Sequence, residues 1–262
     1  MPTNILYEKT FLKLEREVAM LIPPKAAEVI CNTFDPIFYS KWPAPATPYA
    51  FYELLQPAPR HSRIYEITKR MVDISVSICG LLLLAALLPV IALLIWLEDA
   101  GPVFYKQERI GHRGQPFSLY KLRTMITDAD AYLEQHPELL AIWRVNGKLQ
   151  NDPRITKMGR FLRRTSLDEL PQLWNVLCGE MSLVGPRAIQ FSEIEIFREL
   201  INVRQQVKPG LTGLWQVSGR SMTSYEQRLI LDCTYVLQRS LRMDVAILCK
   251  TLPIVLSSAG AY

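Results

Sequence analysis

The sequence predicts an α+β fold, mostly helical, with one helix embedded in a membrane. Three observations carry that expectation. Between residues 74 and 97 no side chain is charged, and about 20 apolar residues are enough to cross the hydrocarbon core as a helix. Beyond that stretch, apolar residues recur at three- and four-residue spacing in several segments, the pattern of a helix packed on one face. Only Val103-Phe104-Tyr105 and Phe117-Ser118-Leu119-Tyr120 read as strands, with Gly111 and Gly114 supplying the turn of a small hairpin.

Composition narrows the class. A chain of 262 residues is one large domain with an appendage. An apolar content of 49% excludes a disordered chain. The net charge of +5, from 30 basic and 25 acidic residues, is weak for a nucleic-acid binder, and no groove-reading module surrounds the basic residues. The five cysteines form no Cys-x-x-Cys pair and the three histidines no metal-binding spacing, against a disulfide scaffold or a Cys/His zinc site. Charged side chains between Phe11 and Leu21 interrupt any signal-peptide apolar core.

The elements follow in order. Residues 1–68 are an N-terminal extension of unassigned role. Half of the 18 prolines fall in its first 59 positions. Phe11, Leu14, Val18 and Leu21 suggest one short helix, residues 25–34 a second, and residues 36–59 an aromatic-rich linker. Residues 69–99 are the membrane segment. Leu81 to Leu84 are consecutive, leaving no polar face. Pro89 removes a backbone donor inside the segment and favours a kink there. Arg60, Arg63, Lys69 and Arg70 precede it, and Lys106, Arg109 and Arg113 follow. Basic flanks favour the cytoplasmic side, so both ends have a claim to it. On these features alone, a spanning helix and a re-entrant one fit equally. Residues 100–262 hold the rest: the hairpin, a turn at Asn151-Asp152-Pro153, and helices over 129–143, 167–177, 191–207, 224–237 and 244–256. Gly179 ends the second of these, and the last is apolar enough to lie along a bilayer surface.

Candidate chemistry gathers at Arg163-Arg164-Thr165-Ser166-Leu167-Asp168-Glu169. Ser166 and Glu169 have the spacing of a capping box, which would make the acids structural. The same residues suit phosphate chemistry. Arginine forks bind phosphate oxygens, and a carboxylate can attack phosphorus. A second carboxylate can hold Mg²⁺, which is bound through one or two carboxylates together with substrate phosphates. Neighbours on a helix point about 100° apart, so Asp168 and Glu169 would take separate roles. Six basic residues and one acid lie between Lys148 and Arg164, a face suited equally to solvent and to anionic headgroups. Gly185-Pro186-Arg187 presents an arginine from a tight turn. Gly210, Gly213 and Gly219 bracket Trp215 and Gln216, with Arg220 following. Such glycines allow close approach to a ligand or make ordinary turns.

Taken together, these stretches resemble the bacterial polyprenyl-phosphate sugar-phosphate transferases, the monotopic phosphoglycosyltransferase family. The resemblance rests on Lys69-Arg70 with Asp73, Gly101-Pro102-Val103-Phe104-Tyr105 through Gly111, and Tyr120-Lys121-Leu122-Arg123-Thr124-Met125. It continues through Asn151-Asp152-Pro153-Arg154-Ile155-Thr156, Ser166-Leu167-Asp168-Glu169-Leu170-Pro171-Gln172-Leu173 and Met181-Ser182-Leu183-Val184-Gly185-Pro186-Arg187. Lys208-Pro209-Gly210-Leu211-Thr212-Gly213 and Gln216-Val217-Ser218-Gly219-Arg220 complete it.

The resemblance implies transfer of a sugar 1-phosphate from a UDP-sugar to undecaprenyl phosphate. UMP is released, as the first membrane step of exopolysaccharide, capsule or O-antigen assembly. It implies a covalent intermediate on Asp168 and Mg²⁺ at Glu169. Arg163, Arg164, Arg187 and Arg220 become candidates to bind phosphates, with Lys121 and Arg123 assisting, and Gln216 is a substrate-binding candidate in the stretch expected to select the sugar. It also favours re-entry, with the helix broken at Pro89 and a catalytic domain on the cytoplasmic face of the bacterial inner membrane, carrying the hairpin and amphipathic interfacial helices. Nucleic acid is not an expected partner, and a homo-oligomer stays open. Two departures stand out. Ala188 replaces the proline usual after Gly-Pro-Arg, which should loosen the hold on Arg187. Residues 1–68 contain no second apolar span. A non-catalytic membrane scaffold and a glycosyltransferase releasing UDP are the competing classes.

Overall fold

The computed structural model describes residues 61–146, 149–191, 198–218 and 225–256. The helices and linker expected before residue 60 lie outside the described residues, as do Gly219 and Arg220.

Helix α1 spans Arg63–Glu98 and opens on Ser62, whose Oγ accepts the Tyr65 N–H at 3.2 Å. It begins before the expected boundary at residue 69. At 1.5 Å per residue it is about 54 Å long. Among the described residues it is the one helix long and apolar enough to cross a membrane. Helical structure continues through Pro89, which sits on the exposed side. A proline removes a single donor there, and the rest of the ladder carries the helix on. Tyr65, Asp73, Ser77, Leu84, Ile91 and Ile95 are buried. Their spacing of four and seven, with one step of eight, draws a stripe along one face. Ile64, Ile67, Met71, Leu82, Leu83, Val90, Leu93 and Leu97 are exposed opposite it.

The stripe docks on the rest of the chain at both ends and between. Near the start, Lys69 Nζ donates to the Val184 carbonyl at 2.9 Å, and Arg70 donates to the carbonyls of Val176 and Leu177. Midway, Gly80 faces Leu173. Farther on, Ile91 and Ile95 pack with Leu122 and Leu162. At the end, Glu98 accepts the N–H groups of Lys157 and Met158, and Arg123 binds Asp99.

Strands β1, Phe104–Ile110, and β2, Pro116–Leu122, form the expected antiparallel hairpin, with Phe104 opposite Leu122 and Ile110 opposite Pro116. Both are longer than expected. The polar run Lys106-Gln107-Glu108 resembles a loop in sequence, but one face of a hairpin can stay in water. A 3₁₀ turn over His112–Gly114 joins the strands, with Arg113 left-handed at φ 57°. The helix expected over 129–143 is two, α2 (Ala129–Glu134) and α3 (Pro137–Asn146). Pro137 disfavours helical geometry in the residue before it, which places the break. Helix α4, Lys157–Thr165, is capped by Thr156 Oγ1 on the Gly159 N–H. It falls in a run too basic to show an apolar period.

Helix α5, Gln172–Cys178, ends at Gly179 in the left-handed region, as expected. Strand β3, Ser182–Val184, pairs in parallel with β4, Gly210–Thr212, across helix α6, Arg198–Arg204. This pair was absent from the sequence expectation, because three residues show no alternation. Helices α7, Tyr225–Gln238, and α8, Leu241–Leu256, close the described chain. The main core joins Phe117 and Leu119 of β2, Leu173 and Val176 of α5, Leu183 of β3, Tyr235 of α7, and Met243 and Ile247 of α8. The site-bearing segment between α4 and α5 is thus fixed against the hairpin on one side and the core on the other.

Candidate functional site

Helix α4 is seated first. A Cβ on Gly159 would lie 2.0 Å from the Thr124 carbonyl oxygen, so only glycine lets α4 approach the strand end this closely. One turn on, Arg163 Nε donates to Thr124 Oγ1 at 2.9 Å. Ser166 then turns left-handed at φ 57°, and its N–H closes on the Arg163 and Leu162 carbonyls. Leu167–Glu169 form a 3₁₀ turn before Pro171 and α5. The capping box anticipated from Ser166 and Glu169 does not form. Ser166 makes no side-chain cap bond, and the Glu169 N–H reaches only the Ser166 carbonyl. With Ser166 closing α4, the acids begin a tight turn rather than a regular helix.

The two carboxylates therefore differ in environment. Glu169 is 42% exposed and meets Lys121 Nζ at 2.7 Å. Burial pushes its pKa upward, but Lys121, Arg187 and a hydrogen bond with Gln172 outweigh it and hold the carboxyl below its ordinary range. Asp168 is 8% exposed. Burial, then the charge of Glu169, raises its pKa to about 6, against the pull of Lys121 and Arg163. Arg163 is lowered by burial and supported by Asp168, Asp152 and Glu169.

Asp168 is exceptional among the buried aspartates. Asp73 accepts from Ser182 Oγ and the Leu183 N–H, Asp152 pairs with Arg154, Asp232 with Arg204, and Asp244 with Lys69 and two tyrosines. Among the described residues, the Asp168 carboxylate has no ion pair and accepts no hydrogen bond from another residue. Its own backbone N–H gives some support, but a buried carboxylate with so little compensation is costly, which marks this position as something other than structural.

The remaining candidates separate. Lys121, Arg163, Asp168 and Glu169 come together, and Arg187 acts electrostatically on Glu169. Arg187 lies over the Trp215 ring at 5.8 Å. Its backbone is held on both sides: its N–H donates to Asp232 at 3.3 Å, and its carbonyl accepts from Arg204 at 2.8 Å. These contacts hold the turn that Ala188 was expected to loosen. Ala188 itself is packed in the core. Arg164 is exposed at the end of α4. Arg123 is engaged elsewhere, on Asp99 and Thr127. Gln216 Nε2 reaches the Leu211 carbonyl at 3.5 Å, and its Oε1 faces Gly213. Gly210 and Gly213 serve backbone packing rather than a ligand, since a Cβ on either would strike Gly185. Gln172, buried beside Glu169, was missed as a site residue. Its position three residues after Glu169, one helical turn on, was the available signal.

The donor set suits Mg²⁺. Glu169 offers an ionised, accessible carboxylate oxygen. Among the described residues no group of three or more His, Cys, Asp or Glu could cage a metal. Mg²⁺ needs only one or two carboxylates when substrate phosphates complete its shell.

Comparison with known proteins places the chain in a family. The sequence profile of the bacterial sugar transferase family matches residues 64–258. The exopolysaccharide production protein ExoY of Rhizobium meliloti is 44% identical over 200 residues, covering 75% of this chain and 88% of that protein. The undecaprenyl-phosphate galactose phosphotransferase of Salmonella typhimurium is 44% identical over 201 residues, 74% of this chain and 41% of its own length. The UDP-glucose:undecaprenyl-phosphate glucose-1-phosphate transferase of Escherichia coli is 39% identical over 199 residues, 72% of this chain and 40% of that protein. The match covers α1 and the Asp168-Glu169 pair together, and by it the chain belongs to the bacterial sugar transferase family.

Proposed function

We propose that this protein transfers a hexose 1-phosphate from a UDP-sugar to a polyprenyl phosphate, releasing UMP, in exopolysaccharide assembly. The single observation that carries the reading is the buried Asp168 carboxylate, bonded by no other residue among the described ones and set beside two cations. The names of the relatives support glucose or galactose as the sugar and undecaprenyl phosphate as the acceptor.

In this reading ionised Asp168 attacks the β-phosphorus of the donor. A new bond forms between an Asp168 oxygen and phosphorus. The bond from phosphorus to the bridging oxygen breaks, and UMP leaves with that oxygen. An oxygen of the polyprenyl phosphate then attacks the same phosphorus. The bond to Asp168 breaks, the carboxylate is restored, and a polyprenyl-diphosphate sugar departs. Arg163 and Arg187 hold the phosphates, and Arg163 lies near Asp168 from the start. Lys121 holds Glu169 in an ion pair. Glu169 would hold Mg²⁺, whose charge stabilises the crowded phosphate oxygens when bound. Arg220 is a further phosphate candidate from the sequence.

The placement of α1 favours a helix that does not span the bilayer, and the cytoplasmic face is the expected side. Its buried stripe meets the same domain from Tyr65 to Asp99. If α1 crossed the bilayer, the domain packed along its middle would have to enter the hydrocarbon with it, where backbone polar groups and ions are costly. Its exposed Leu, Ile and Val side chains instead suit lipid along one side.

The test is nucleotide release from the full-length protein in detergent, with Mg²⁺, undecaprenyl phosphate and a panel of UDP-sugars. UMP from a UDP-hexose is expected. UDP as the product, or no release from any donor by folded protein, would overturn the proposal.

A further inference from the structure

A second basic site lies at the far end of α5 from Asp168. A cavity of about 260 Å³ opens between the first turns of α1, the segment before β4 and the end of α7. Lys69, Arg70, Lys208 and Arg239 line it, against the carboxylates of Glu66 and Asp73.

The acids leave part of this charge unanswered. Lys69 is satisfied by Asp244, Tyr235 and the Val184 carbonyl. Asp73 is turned to Ser182 and the Leu183 N–H, and Glu66 is exposed and 4.0 Å from Arg239. Arg70 caps two carbonyls at the end of α5 but meets no carboxylate within ion-pair distance among the described residues. Lys208 has no hydrogen bond or ion pair among the described residues. Lys208 and Arg70 also converge: a Cβ on Gly179 would lie 3.3 Å from Lys208 Nζ and 3.5 Å from an Arg70 nitrogen. Burial and the nearby Arg70 lower the Lys208 pKa. The α5 carbonyls, Asp73 and Glu66 offset part of this repulsion, and an anion between the two half-buried cations would offset more.

We propose that this cavity binds a phosphate group distinct from the reacting phosphates. Its volume falls below the roughly 300–1,000 Å³ of a drug-sized ligand pocket, so it admits a headgroup or a free phosphate and not a whole nucleotide sugar. Guanidinium and ammonium groups converging from different elements are suited to phosphate oxygens. Ile64, Ile67 and Met71 stand exposed on the same turns of α1, positioned to follow the acyl chains of a lipid whose headgroup occupies the cavity. The site does not depend on the transfer reaction.

The experiment uses the full-length chain in non-ionic detergent and phosphate-free buffer. Its melting temperature is followed while inorganic phosphate or dihexanoyl phosphatidylglycerol is added. A ligand that binds only the folded state raises the melting temperature saturably. At least one probe is expected to do so, and Lys208→Gln and Arg239→Gln are each expected to weaken that binding about tenfold. Arg187→Gln, which alters the transfer site, is expected to retain it. Stabilisation by phosphatidylglycerol alone identifies a lipid headgroup; equal stabilisation by inorganic phosphate identifies a free anion. The proposal is overturned if neither probe stabilises the protein. It is also overturned if both cavity variants respond like wild type, or if only Arg187→Gln loses the response. Lys208→Gln and Arg239→Gln lie on different elements, so a folding defect in one leaves the other to decide.

Discussion

Two buried aspartates show how the same side chain is made structural or reactive. Asp244 accepts from Lys69 Nζ at 3.0 Å, Tyr65 OH at 3.1 Å and Tyr235 OH at 2.6 Å, tying α1 to α7 and α8. Every lone pair that matters is occupied, and the charge is neutralised within the cluster. Asp168 is equally buried, yet it sits on a three-residue turn with its cations nearby but unbound. The difference is not burial but saturation. A carboxylate with fixed donors is held; one without them keeps its lone pairs for an incoming phosphorus.

The comparison is broken most directly at Asp168. Asp168→Asn is expected to lower UMP release by about 10³-fold or more, as removal of a nucleophile does, while Asp244→Asn in any folded fraction retains the reaction. Comparable activity losses in the two variants would erase the distinction. The second effect runs through stability. Removing one partner of a buried ion pair costs about 3–5 kcal/mol. Asp244→Asn should therefore melt well below wild type, and unchanged thermal unfolding would show that the cluster around Lys69 holds nothing.

A third, smaller effect has the opposite sign. The folded-state pKa of Asp168, about 6, lies above its unfolded value near 3.8. Its contribution to stability is full below the unfolded value and is lost as pH rises through 6. Asp168→Asn should therefore stabilise the protein at pH 7.5 by about 1–3 kcal/mol and much less at pH 4. Destabilisation at pH 7.5 would mean the carboxylate has partners after all. The same titration should appear in the pH dependence of single-turnover UMP release, rising through about pH 6 as the nucleophile ionises. Last, Glu169→Gln removes a like charge beside Asp168, so the midpoint of that profile should move to lower pH and the Mg²⁺ titration should weaken. A variant with the wild-type midpoint and the wild-type metal dependence would remove Glu169 from both roles.

Much of the site was legible because its residues are close in sequence. Arg163, Asp168 and Glu169 fall within seven positions. Acids directly after arginines pointed to phosphate chemistry before any geometry. The capping-box reading of Ser166 and Glu169 failed because spacing cannot report that Ser166 is left-handed. Arg123 looked equivalent to Lys121, since both lie near the end of β2. Residues two apart on a strand share a face, but Arg123 lies past the last residue of β2, and only the fold placed Asp99 against it and Glu169 against Lys121. Gly159 carried no signal in a basic run, although α4 cannot seat on Thr124 without it.

By itself the sequence determined the apolar length of α1, the hairpin with its glycine turn, the end of α5 at Gly179, and the presence of the Asp168-Glu169 pair. These depend on local periodicity, backbone preferences and short-range chemistry, which a linear chain displays directly. Only the tertiary structure decided which acids are saturated, which basic side chains remain for phosphate, and that the buried face of α1 meets one domain from end to end. Those properties depend on partners over a hundred positions apart, as with Lys69 and Asp244. Charge compensation inside a protein is set by distance in space, which chain order does not encode.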